Sequence, residues 1–163
     1  MRAPHRLSFL MAAVVMGGSA LWWWHVMLGR STGWFVGPAA VPGTFVHALV
    51  MSLGFMPLFF GGFLFTAGPK WLQMPEVKAA EILKPVLAVG VGWGLLLVGA
   101  EVHHGMAATG VALATAGWAA MTWHFGGLVA QSPAPGRLHA RLIVAACRVG
   151  VLAMGAAAAG LAW

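Results

Sequence analysis

Seven histidines stand against three carboxylates in this chain of 163 residues. His47 is followed by Met51 and Gly54 at i+4 and i+7, so on a helix the three share a face. An imidazole with a thioether and a small residue beside it would suit a flat cofactor lying against that face. Glu101 and His104 stand at i, i+3, a spacing used in helical metal sites, with His103 between them and the turn. His25 completes the set of histidines at the ends of apolar runs. Imidazole is the commonest protein ligand for iron, copper and zinc, so ligation is the chemistry these types support. The plainer alternative is that an interfacial imidazole keeps one nitrogen wet at little cost, and that Met51 fills space as most membrane methionines do.

What must position these residues is a bilayer-spanning scaffold. The chain is 61% hydrophobic and only 7% charged, with a mean hydropathy of +0.88. A soluble domain carries about 25% charged residues, because its surface must face water. Here the apolar residues fall into five runs, near 7–28, 45–66, 85–102, 106–128 and 142–163. Each approaches the ~20 residues that cross a hydrocarbon core. The expected fold is therefore all-α, a polytopic transmembrane helical bundle of about five spans in a single domain. The first run is basic at its start, but it is too long for a signal h-region. Pro57 in the second run predicts a kink whose freed carbonyl a neighbour re-satisfies. Pro85 suits the first turn of the third.

Basic residues give the bundle a direction. Arg2, Arg6, Lys70, Lys78, Lys84, Arg137 and Arg141 flank one side, and only Arg30 lies on the other. The positive-inside bias then places the N-terminus in the cytoplasm, with Arg148 near the cytoplasmic end of the fifth run. On this topology His25, His47, His103 and His104 converge on the outer edge from three helices. His124 lies towards the cytoplasmic end, interfacial or paired, while His5 and His139 fall in cytoplasmic segments. Glu76 and Glu81, mixed with Lys78 and Lys84, read as a solvated face. The basic excess of +6 forms no stripe able to neutralise phosphates, so a nucleic-acid partner is not expected.

Gly90 and Gly94 make a GxxxG pair, with weaker versions at Gly110–Ala114 and Gly150–Met154. Such spacings let helix backbones approach in lipid, and they indicate a bundle rather than a function. Trp22, Trp23, Trp24, Trp34 and Trp71 read as an aromatic belt. Cys147 is a lone thiol in an apolar run and reads as a small hydrophobe. The chain has no phosphate-cradling loop, nucleophile elbow, HExxH or covalent haem-attachment motif.

The stretch His47-Ala-Leu-Val-Met51-Ser-Leu-Gly54-Phe, then Gly62-Phe-Leu-Phe-Thr66-Ala-Gly-Pro69-Lys-Trp71, resembles the NnrS family. There a His-led helix runs into Gly-Phe-Leu-x-Thr-Ala-x-Pro-x-Trp. His139-Ala-Arg141-Leu-Ile-Val-Ala-Ala, opening the last run, is similar to a later family segment. The departures are Leu49 and Val50, which stand where better-known members carry His and Glu, and the length, since family members are more than twice as long. The resemblance implies the N-terminal part of a longer multi-pass protein of the bacterial inner membrane. It further implies association with haem b, copper or both, and a role in the response to nitric oxide and nitrosative stress, with nitric oxide as a ligand.

His47 is the first axial candidate, with His25, His103 or His104 as the second, and Met51 and Gly54 lining the cofactor. For a metal, His47, His103, His104 and Glu101 are the candidate ligands. No catalytic residue is assigned. A transporter or permease half, with Pro57 giving a broken helix, and a non-catalytic scaffold subunit are the alternatives. Expected partners are lipid, a second copy, or further helices of a longer chain.

Overall fold

The computed structural model describes residues 3–33 and 39–163. Trp34 and Arg2, invoked above, lie outside the described residues. Helix α1 spans Pro4–Thr32, α2 Gly43–Leu49, and a π-helical turn Val50–Gly54 leads into α3, Phe55–Leu64. A short helix α4, Gly68–Trp71, precedes α5, Ala79–Val102; α6 is His104–Gln131 and α7 Leu138–Ala162. With α2, the π turn and α3 taken as one span, the five expected runs each coincide with a helix, and no strand occurs among the described residues.

Four spans, Pro4–Thr32, Gly43–Leu64, Ala79–Val102 and Leu138–Ala162, are long and apolar enough to cross a membrane. The chain is thus a multi-pass helical bundle. Helix α6 has 28 residues and no Asp, Glu, Lys or Arg, but its Gly, Thr, Trp and His residues lower its hydropathy. It lies between α5 and α7 and buries Val111, Ala114, Trp118, Met121 and Phe125.

Contacts fix how the spans run. Trp23 meets His47, Val15 packs beside Gly54, and Phe9 fills the space beside Gly62, so α1 is antiparallel to the second span. Met11 lies on Gly90 and Trp22 reaches Glu101, which makes α1 and α5 parallel. Helices α5 and α6 are antiparallel and close enough for backbone to meet backbone. A Cβ at Gly92 would strike Ala114 and the Gly110 carbonyl, one at Gly99 would strike Ala107, and one at Gly117 would strike the Pro85 carbonyl. The interhelical small residues are therefore Gly92 and Gly99 against Gly110 and Gly117, each pair two turns apart. Of the expected GxxxG pair, Gly90 packs on Met11 of α1 and Gly94 faces open space.

Proline acts differently from expectation at two places. Helix α5 starts six residues before Pro85, because the Glu81 carboxylate accepts the Lys78 N–H at 2.8 Å and caps it. Pro85 then sits inside the helix. At Pro57 the second span widens instead of kinking openly. The proline ring clashes with the carbonyl four residues back, Leu53, and the π turn just ahead of it relieves that clash. Ser52 Oγ donates to the Ala48 carbonyl at 2.8 Å within the same turn.

Both ends are stitched. Val41 N–H donates to the Ala100 carbonyl at 3.1 Å at one end. At the other, Ser132 Oγ donates to the Leu72 carbonyl at 2.8 Å, and Arg137 Nη1 donates to the carbonyls of Val129, Ala130 and Ser132 that close α6.

Candidate functional site

At the end remote from the basic residues, α1, α2 and α5 come together around two consecutive tryptophans. Trp22 Nε1 donates to Glu101 Oε1 at 2.9 Å. Trp23 stacks on the His47 imidazole, with centroids 4.2 Å apart and planes 18° from parallel. The Arg30 guanidinium carbon lies 6.0 Å from the centroid of the Trp23 ring. Gly43, at the start of α2, lets this packing close, since its Cβ position lies 3.4–3.8 Å from Val26, Trp22 and Trp23. The indoles therefore clamp the site. The run of three tryptophans signalled an aromatic belt, and only Trp24, 63% exposed, fits that role alone.

His47 is half-buried, and its Nδ1 is buried without a hydrogen-bond partner among the described residues. A buried polar nitrogen left unpaired costs about 1–3 kcal/mol, so it calls for an explanation. The other candidates are used differently. His103 caps α6: its Nδ1 accepts the Gly105 N–H at 3.0 Å. Its ring stacks on His104 at 4.7 Å, and both are exposed. Glu101 is committed to Trp22. His25 is exposed on α1.

Among the described residues, no group of three or more His, Cys, Asp or Glu lies close enough to hold a metal ion. The structure thus brings His47 and Glu101 to one end of the bundle through Trp23 and Trp22, but it does not assemble His47, His103, His104 and Glu101 into one ligand shell. Met51 is half-buried in the π turn. The surface beside Gly54 is closed rather than flat, because a Cβ there would lie 2.8 Å from Val50 and 3.6 Å from Val15.

The second half of the family-like motif sits at the opposite end and makes a junction. Gly62 seats the Phe9 ring, and Thr66 Oγ1 lies 3.3 Å from His5 Nδ1. Pro69 accepts the Met74 N–H at 2.8 Å, and Trp71 meets His139 edge-on at 6.2 Å. His5 is therefore half-buried and partnered at this end of the bundle. His124 has Glu81 at 3.9 Å and Phe65 at its edge, in keeping with a paired histidine.

No curated protein and no solved structure matches this chain. One family does, described as NnrS protein, and the match runs over residues 1–163. With the full length matched, and with the His47-led helix and the Gly62–Trp71 junction in place, the chain belongs to the NnrS family.

Proposed function

We propose that this protein is a haem-associated membrane protein of the bacterial inner membrane, acting in the response to nitric oxide and nitrosative stress, with His47 as the protein ligand of haem b. The observation that carries the reading is the fixed ring of His47, stacked on Trp23 with its Nδ1 buried and without a hydrogen bond, which leaves the other ring nitrogen as the one able to ligate. Haem asks a protein for one or two axial side chains, which one oriented imidazole begins to satisfy. A copper centre built from three or more side chains does not fit the donor set of the described residues, whose histidines and carboxylates are not grouped that way. When bound, ferrous haem supplies an iron that takes up nitric oxide or passes on an electron.

The chain's own contribution is orientation and dryness. Trp23 covers one face of the imidazole and limits its rotation, and the Arg30 guanidinium carbon lies 6.0 Å from the centroid of that same indole. Trp22 holds Glu101 away, so the one carboxylate at this end is spent on an indole N–H rather than on the imidazole. The permease alternative needs unwound backbone to coordinate ions, and the span from Gly43 to Leu64 stays helical through its π turn.

The test is the absorption spectrum of the purified full chain loaded with haem. His47→Ala is expected to abolish or shift the Soret band, while His25→Ala leaves it in place. An unchanged band in His47→Ala removes this assignment.

A further inference from the structure

Helices α6 and α7 leave a groove between them towards the basic end. Its upper part, about 710 Å³, is lined by Trp123, Gly126, Gly127, Val151 and Leu152, with Arg148 at its edge. A second hollow of about 490 Å³ shares Gly126, Ala130 and Arg148 and adds Arg137 and Arg141. The two form one continuous surface, apolar at one end and cationic at the other. Trp123 is 83% exposed and Leu152 72%, so the apolar wall has no cover from the described residues.

The charges are equally unmatched. Arg137 is occupied by the carbonyls that end α6. The chain holds three carboxylates, and all are placed elsewhere. Glu81 faces His124, Glu101 holds Trp22, and Glu76 lines a hollow with His5 and Lys70. Arg141 and Arg148 have no carboxylate partner among the described residues. They stand seven residues apart on one face of α7, about 10.5 Å along its axis. Arg148 lies ten residues into that helix, deep for a guanidinium. On the orientation derived from the basic residues, an arginine that far along a span favours a site with a partner, since an uncompensated charge is costly there.

We infer that this groove is a binding site for one anionic phospholipid, with Arg141 and Arg148 on the headgroup phosphate and the acyl chains against Trp123, Val151 and Leu152. The shape argues for lipid over a soluble anion, because a cationic mouth that continues into an exposed apolar wall matches both parts of one molecule. Basic pockets between transmembrane helices on the side favoured by basic residues take such headgroups, and that leaflet is the anionic one. The site is remote from His47 and independent of any cofactor reading.

Native mass spectrometry of the detergent-purified full chain, titrated with phosphatidylglycerol and with phosphatidylcholine of the same acyl chains, tests it. One phosphatidylglycerol is expected to bind per chain, in clear preference to phosphatidylcholine. Arg141→Gln with Arg148→Gln should weaken that binding about twenty-fivefold, at about fivefold per charge. Lys70→Gln, at another site, should not. Arg148→Lys, which keeps the charge, should retain most of the preference. Equal binding of the two lipids, or a double variant that keeps its preference, overturns the inference. A photoactivatable phosphatidylglycerol supplies a readout on the unmodified chain. Labels should fall on α6 and α7; labels confined to α1 or α3, or a dimer that excludes lipid from the groove, overturn it as well.

Discussion

Two neighbouring residues of α1 reach two different helices. Trp22 bonds to Glu101 of α5 and Trp23 stacks on His47 of α2. The geometry is directional, since consecutive helical positions differ by about 100° and so address separate partners. Trp23→Ala is expected to lower stability through the lost ring contact and buried area, of order 2–4 kcal/mol in total, and to free the imidazole. Thermal unfolding in detergent, followed by far-UV circular dichroism, measures the first effect. Trp22→Phe keeps an aromatic ring but loses the exposed hydrogen bond and part of the indole packing, so its cost should stay below about 2 kcal/mol in the same assay. His47 was legible as special from its depth and from Met51 and Gly54 downstream. Its clamp was not, because a Trp-Trp-Trp run near an interface looks the same whether the indoles face lipid or helix. The cap at His103 was hidden for a related reason: a histidine after a helix reads equally as ligand or cap, and only the one-residue turn before α6 shows that its Nδ1 serves as the cap.

At the scale of elements, the five helices followed from run length, because hydrocarbon thickness leaves few other solutions for runs near 20 apolar residues. Helix partners did not follow, since small residues are spread along every span. The GxxxG at Gly90 and Gly94 has the right spacing and the wrong face, whereas Gly92 and Gly99 lie where α6 passes. Gly92→Val should drive a side chain into the α6 backbone at a cost of about 3 kcal/mol or more, and Gly94→Ala should cost nothing measurable. Comparing the two by thermal shift and size-exclusion profile separates contact from composition. The π turn was equally hidden. Pro57 announced a disturbance, and whether a helix bends or widens there depends on what packs alongside, here Val15 against Gly54.

For the molecule as a whole, the alternation of spans places Arg6, Lys70, Lys78, Arg137 and Arg141 at one end and Arg30 at the other. Single cysteines at Lys78 and at Ser31, in a background with Cys147→Ala, should label from opposite sides of the membrane. A membrane-impermeant maleimide applied to intact cells should reach the Ser31 position alone; labelling of the Lys78 position instead would invert the orientation derived from basic residues. The two ends also differ in kind. The His47 end is a meeting of aromatic rings, and the end at Thr66, Pro69 and Trp71 is a hydrogen-bonded junction, so the family-like motif splits between a candidate site and the clasp that holds the helices opposite it.

Only His103 separates α5 from α6, and α6 is the helix whose own apolarity falls short of the other four. During synthesis the two leave the ribosome as one hairpin, and the glycine seam between them can close before later helices arrive. The more apolar α5 is then expected to carry α6 into the bilayer, so that partition of the second depends on docking to the first. Displayed singly to the insertion machinery, α6 is expected to enter inefficiently, and joined to α5 it is expected to enter fully.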